Sequence, residues 1–371
     1  MPLDTRRMTK VVVDGLIYES QAFGGISRLW SEILPRMCAL DDSLRVILLT
    51  CGRIRRPPPE HAHLRHRPIL PIDDLFRRPS MREFVFRVAL TGERQGIWHS
   101  TYYTTSSVWR GPRVVTVPDM IHELFPRPFR SPLDEDFMRQ KRRCVQEADM
   151  VICISANTRS DLLTLYGIPA ERTCVIPLAC SEGFRVLEGC NGPDGSTGRP
   201  YLLYVGERYH YKGFETLMRA YSAWARRDEV DLIVVGPGWS RRESKELTRL
   251  RIDKGVILAG RVDDHALCRL YNRALTLVVP SLYEGFGLPL LEAMACGCPI
   301  VASRIPSTVE AAGDCPFYCE PGNEESLLIA LDAAQEEGKP SPRIIRGLEC
   351  VKQFSWSNTA RQTLMAYRAL L

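Results

Sequence analysis

No apolar stretch of this 371-residue chain approaches the roughly 20 residues that a bilayer-spanning helix needs. Residues 1–10 lack a hydrophobic signal core, so the expectation is a cytoplasmic protein, at most peripheral to a membrane. The 13 cysteines form no Cys-x-x-Cys pair and are odd in number, which argues against a disulfide framework and for a reduced compartment. Cys153, Cys174, Cys268 and Cys296 fall in or beside apolar segments, where a thiol packs as a small hydrophobe. A metal-binding pattern is missing too. Asp134-Glu135-Asp136 sits in a helical pattern and reads as a solvated face. His61, His63 and His66 follow Pro57-Pro58-Pro59 in an irregular basic segment and read as surface histidines. The net charge of +5 is too mild to call for a nucleic-acid partner.

What charge there is lies mostly in the first quarter, where Arg53, Arg55, Arg56, Arg65, Arg67, Arg77, Arg78, Arg82 and Arg87 dominate. Such a patch suits phosphates or an anionic leaflet, and equally a solvated face. Short apolar runs alternate with helical patterns: strands are expected at 10–14, 45–50, 97–100, 114–117, 150–154 and 174–176. A turn-rich stretch, Gly189 to Gly198, interrupts them, and a second series begins at Tyr201 and runs to about Tyr318. The reading is α/β, with two tandem Rossmann-like domains. The expected bounds are 1–185, a linker at 186–198, and 199–354.

The richest stretch is Ser281-Leu282-Tyr283-Glu284-Gly285-Phe286-Gly287-Leu288-Pro289-Leu290-Leu291-Glu292. An apolar strand precedes it and another follows, so Glu284 is expected on a loop at the carboxyl edge of a parallel sheet, where such sheets bind ligands. Glu292 lies about two turns further on, in a helix whose first N–H groups (Gly285 to Leu288) suit an anionic or polyoxygenated ligand. A second strand end, Gly206-Glu207-Arg208-Tyr209-His210-Tyr211-Lys212-Gly213, places two cations four residues apart. Arg brings a planar fork and Lys a point charge, both suited to a diphosphate.

The acid pair with Gly-Phe-Gly-hydrophobic-Pro between its members resembles the nucleotide-binding signature of retaining glycosyltransferases of the GT-B fold, family 4. Gly206 to Gly213 resembles that family's diphosphate clamp. The resemblance implies two Rossmann-like domains facing a central cleft, with a last helix, 355–371, crossing back onto the first. It implies a nucleoside-diphosphate sugar as donor, a GDP- or UDP-sugar, with no cofactor and no metal. Arg208 and Lys212 would then neutralise the leaving diphosphate, Glu284 would orient the sugar hydroxyls, and Glu292 would hold the ribose diol. Glu284 is thereby expected to leave a bare diphosphate untouched. Arg261 and Val262 would flank the base, and Gly285, Phe286, Gly287 and Leu288 would line the donor. On the N-terminal side Gly25, within Gly24-Gly25-Ile26-Ser27, resembles the family's glycine loop. Val117-Pro118-Asp119-Met120-Ile121-His122 departs from the family pattern, because Pro118 stands where a histidine is usual. Asp119 is kept, and His122 is the candidate to compensate. The acceptor would be a glycan or a lipid-linked sugar, reached from the inner membrane surface, and similar glycine loops in mannosyltransferases of surface-polysaccharide assembly tilt the sugar towards mannose. The rival reading is a catalytically weak nucleotide-sugar-binding or scaffold subunit of a polysaccharide assembly complex. A sugar phosphorylase of the same architecture is disfavoured, since no lysine segment suggests a pyridoxal phosphate site.

Overall fold

The computed structural model describes residues 9–22, 24–69, 79–91, 95–127, 129, 131–189 and 198–371. Phe23 of the glycine loop, Arg77 and Arg78, the Arg82 side chain, and residues 190–197 of the expected linker lie outside that description. The chain divides into two compact units, Met1–Leu178 with Ser355–Leu371, and Ala179–Phe354.

In the first unit the strands β1 (Thr9–Asp14), β2 (Leu44–Thr50), β3 (Leu64–Pro68), β4 (Ile97–Ser100), β5 (Arg113–Val117), β6 (Met150–Cys153) and β7 (Thr173–Val175) form a parallel sheet ordered β3-β2-β1-β4-β5-β6-β7. The inner strands are buried along nearly their whole length because helices cover both faces, which is why they read as unbroken apolar runs. β3 is the departure. Its His- and Arg-rich sequence looks irregular, yet it pairs with β2 from Val46↔Leu64 to Thr50↔Pro68. An edge strand tolerates charges on its outer side, and only Leu64 is buried. His66 therefore sits on a strand, its Nε2 2.8 Å from the Thr50 hydroxyl, and is not a loop histidine. Asp134 is likewise more than a solvated acid: it closes a capping box with Ser131 at the start of the helix Pro132–Glu147.

The last helix, Trp356–Arg368, belongs to this first unit. Trp356, Leu364 and Tyr367 are buried in it, and it packs on the helix Gly25–Leu40. Buried His99 joins the two ends of the sequence. Its Nδ1 lies 2.6 Å from the Tyr367 hydroxyl, its Nε2 lies 2.9 Å from the Thr116 hydroxyl, and Trp30 packs edge-on at 4.6 Å.

The second unit repeats the plan. Strands β8 (Tyr201–Val205), β9 (Asp231–Val235), β10 (Val256–Gly260), β11 (Thr276–Val279), β12 (Ile300–Ser303) and β13 (Phe317–Cys319) run parallel in the order β10-β9-β8-β11-β12-β13. Two doubly wound α/β units in tandem are what the alternating pattern predicts. Among the described residues no helix is long and apolar enough to cross a membrane.

Candidate functional site

In the second unit the strand order reverses between β8 and β11. The loops after these two strands flank a topological switch point, the place where open α/β sheets leave room for a ligand. Gly213 brings the loops together. It has φ +68°, and a Cβ there would lie 1.9 Å from the carbonyl oxygen of Pro280, so no other residue fits without moving a backbone. The Leu282 N–H donates to the Tyr211 carbonyl at 2.7 Å across the same seam. Gly213→Ala is expected to cost roughly 2–4 kcal/mol, from left-handed strain plus a backbone clash. Melting within about 1 °C of wild type would show that the seam does not depend on this contact.

That seam sets Lys212 against Glu284. The ammonium donates to both carboxylate oxygens, at 2.8 and 2.7 Å, and the Ser281 hydroxyl donates to Oε1 at 2.7 Å. The pair is three-quarters or more shielded, with side-chain exposures of 24% and 12%, so its Coulomb attraction is only partly screened. Gly285, Phe286 and Gly287 continue the loop as buried residues, with the Phe286 ring 5.7 Å from that of Phe354, and half-buried Leu288 opens the helix Leu288–Ala295.

Arg208 is held separately. Its Nε donates to Glu243 at 2.5 Å, and its Nη2 to the Pro237 and Gly238 carbonyls at 2.9 and 2.8 Å. The guanidinium also lies 4.6 Å from the Trp239 ring centre, a cation–π distance. Burial pushes the Glu243 carboxyl up, but the hydrogen bonds from Arg208 and Ser240 outweigh it and hold it below the usual carboxylate range. The arginine side chain is 3% exposed, yet its Nη1 has no hydrogen-bond partner. That atom faces the strand-end glycines: a Cβ on Gly236 would be 3.1 Å from it and 2.5 Å from the Gly206 oxygen. A buried guanidinium nitrogen with nothing to donate to is costly, and it is where an added acceptor oxygen would gain most. Arg261, exposed after β10 and followed by half-buried Val262, reaches back 3.2 Å to Glu207 on the same loop as Arg208.

Glu292 is 4% exposed and accepts a 2.9 Å hydrogen bond from the Tyr271 hydroxyl. Burial first, and then the Glu292 charge, push the Tyr271 phenol well above its ordinary value, so it stays a donor. The spacing between the acids puts Glu292 on the helix as expected. It did not reveal Tyr271, which lies on the helix Asp264–Arg273 without a local motif. Glu243 was more legible, because Ser240-x-x-Glu243 is a capping-box pattern; here the same acid caps its helix and pairs with Arg208.

Gly25, Asp119 and His122 belong to the first unit. Gly25 opens the helix Gly25–Leu40 after Gly24, whose carbonyl accepts from the Ser27 hydroxyl at 3.1 Å. Asp119 follows β5, and its Oδ1 accepts the Ile121 N–H at 3.1 Å. His122, on the one-turn helix Ile121–Leu124, lies between Phe129 and Phe137, with ring centres 4.2 and 4.7 Å away. Burial and the Lys141 charge outweigh the nearby acids and hold the imidazole below its ordinary value, so it is neutral at pH 7. The structure thus joins Arg208 to Arg261 through one loop, Lys212 to Glu284 through an ion pair, and Asp119 to His122 through one turn.

Residues 193–347 match the sequence model of the family "Glycosyl transferases group 1", and residues 23–180 match that of "Glycosyltransferase Family 4". An Escherichia coli relative, O-antigen chain mannosyltransferase B, is 31% identical over 241 residues, covering 61% of this chain and 62% of that protein. The chain spans about 60% of the length of the curated relatives it matches. Sucrose-phosphate synthase from Thermosynechococcus elongatus superposes with a TM-score of 0.79 at 21% identity, covering 98% of this chain and 99% of that one. Anabaena HepE in complex with UDP-glucose does so with a TM-score of 0.73 at 18% identity, covering 97% of this chain and 100% of that one.

Proposed function

The chain belongs to the family 4 glycosyltransferases, and from that premise we propose that it moves a hexose from a nucleoside-diphosphate sugar to a glycan or lipid-linked acceptor. The observation that carries this reading is the pair of cations at the switch point, Lys212 against Glu284 and Arg208 with its unsatisfied Nη1. A diphosphate placed there would accept from Nη1 and share the Lys212 ammonium with Glu284. The C1–O bond to the diphosphate breaks, and its electron pair leaves on the phosphate oxygen. The acceptor hydroxyl bonds C1 on the same face, which retains configuration, and its proton passes to the departing oxygen. Negative charge grows on the phosphate along this path, and fixed cations stabilise it most when it is largest. Glu292, held by the Tyr271 hydroxyl, would hold a ribose diol, and Arg261 with Val262 would border the base. Mannose is the first sugar to try, since the E. coli relative is a mannosyltransferase.

Donor hydrolysis without acceptor tests the reading, using GDP- and UDP-sugars chosen by which diphosphate raises the melting temperature. A ligand at 100 times its dissociation constant stabilises by about 2.7 kcal/mol. Turnover is expected to survive excess EDTA, because two cations are already in place. Loss of activity in EDTA with recovery in manganese would count against the cation clamp. Binding without hydrolysis of any sugar nucleotide would favour the scaffold reading, which Pro118 supports.

A further inference from the structure

Arg208 and Lys212 are each bonded to an acid, and the two acids hold their cations differently. Glu284 takes the Lys212 ammonium with both carboxylate oxygens, so a diphosphate has to share that cation. Glu243 takes Arg208 from the side. Its Oε1 accepts from Nε at 2.5 Å, and its Oε2 lies 3.4 Å from Nη2, which also donates to the Pro237 and Gly238 carbonyls. A guanidinium is planar and rigid, so fixing Nε and Nη2 fixes where Nη1 points. Trp239 sets the tilt of that plane. Its ring centre lies 4.6 Å from the guanidinium carbon, and the ring is itself stacked on buried Phe214 at 5.9 Å and 25°. Glu243 is anchored in turn, accepting the Ser240 N–H at 2.7 Å at the start of the helix Arg241–Arg249.

An arginine that served only to staple this helix to the loop after β8 would have its buried nitrogens satisfied. Here Nη1 is buried without a hydrogen-bond partner, in the notch between Gly206 and Gly236. We propose that Glu243 is a positioning residue: it does not touch the substrate but aims Nη1 of Arg208 at an oxygen of the leaving diphosphate. The step it serves rests on the proposed function, whereas the aiming is a property of the protein itself, so the two can fail separately. Glu243 occupies the nitrogens turned away from that notch. Its loss therefore costs direction more than ground-state attraction, and the effect belongs in turnover.

Kinetics and heteronuclear NMR of the arginine side chains test this together. Glu243→Ala should lower kcat about 30-fold while the affinity for GDP or UDP stays within about threefold of wild type. Glu243→Gln keeps one acceptor oxygen for Nε and should fall between the two. Ser240→Ala removes the helix cap but leaves the backbone N–H bond to Glu243, and should keep turnover within about twofold. In an Arg208→Ala background Glu243→Ala should add almost nothing. In the NMR spectrum, GDP or UDP should shift the Nη1 protons of wild type, assigned by their absence from Arg208→Ala, and should not do so in Glu243→Ala. Unchanged kcat in Glu243→Ala, an equal loss in Ser240→Ala, or a loss that adds in full to that of Arg208→Ala would each overturn the proposal. A fall in diphosphate affinity that matches the fall in kcat would overturn it too, because the acid would then only support the fold or the ground state. No Nη1 shift in wild type, or the same shift in Glu243→Ala, would overturn it whatever the turnover. If wild type hydrolyses no sugar nucleotide and the Nη1 shift still depends on Glu243, the transfer reading fails and the positioning stands.

Discussion

Lys212→Ala is expected to lower kcat by about 10²- to 10³-fold while raising KM for the donor far less, since the ammonium matters most when charge has built up on the leaving phosphate. A pure KM effect would mean that Lys212 only binds the ground state. The ion pair also changes what Glu284→Ala should do. The family resemblance alone implies indifference to the bare diphosphate. With Glu284 in bidentate contact with Lys212, its removal frees a cation and deletes a neighbouring negative charge. Free nucleoside diphosphate should then bind about two- to tenfold tighter, even as turnover of the sugar nucleotide falls. The two substitutions should be strongly non-additive, because they share one interaction. Titration calorimetry on the two single variants and the double variant checks this, and additive changes in diphosphate affinity would exclude the pairing as a functional unit.

The second large effect is on stability in acid. Burial depresses the His99 imidazole from 6.5 to about 3. The sign follows from which state binds the proton. Below about pH 6.5 the unfolded chain takes up a proton at His99 that the folded chain refuses, so stability is complete above that pH and is lost as pH falls towards 3. The slope is about 1.4 kcal/mol per pH unit, or roughly 2 kcal/mol between pH 6.5 and about pH 5. Asp14 works in the opposite direction, because its buried carboxyl is raised by desolvation. The clean measurement is therefore a difference. His99→Gln should be less stable than wild type near pH 7, yet the gap should narrow by about 2 kcal/mol in urea unfolding near pH 5. A gap that does not change with pH would show that His99 is protonated in the folded state or unimportant to it.

Both sheets were legible in the sequence, since parallel strands buried on two faces leave short unbroken apolar runs such as Val11-Val12-Val13 and Leu277-Val278-Val279. β3 was not, because an edge strand needs no apolar face and its Arg and His pattern imitates a loop. In the candidate site, sequence spacing located Arg208, Lys212, Glu284 and Glu292 but could not pair them. Lys212 meets an acid 72 residues away because Gly213 lets two loops touch, and a single glycine does not say which backbone it will approach. Arg208 with Glu243 is the same case, visible only as two local motifs until the fold joined them. The ring run over Phe129, His122 and Phe137 draws on two neighbouring segments whose register no periodicity connects.

The helix Trp356–Arg368 has a consequence for how the chain is made. His99 is joined to Tyr367 across 268 residues, and the second unit lies entirely between them. On a ribosome the first unit emerges first but lacks the helix Trp356–Arg368, so the helix Gly25–Leu40 waits without that cover until the whole second unit has been made. The second unit, continuous in sequence, can close earlier and hold the late helix's attachment point at Phe354. The first unit is thus completed only after the second has been made, the reverse of the order in which the two begin to emerge.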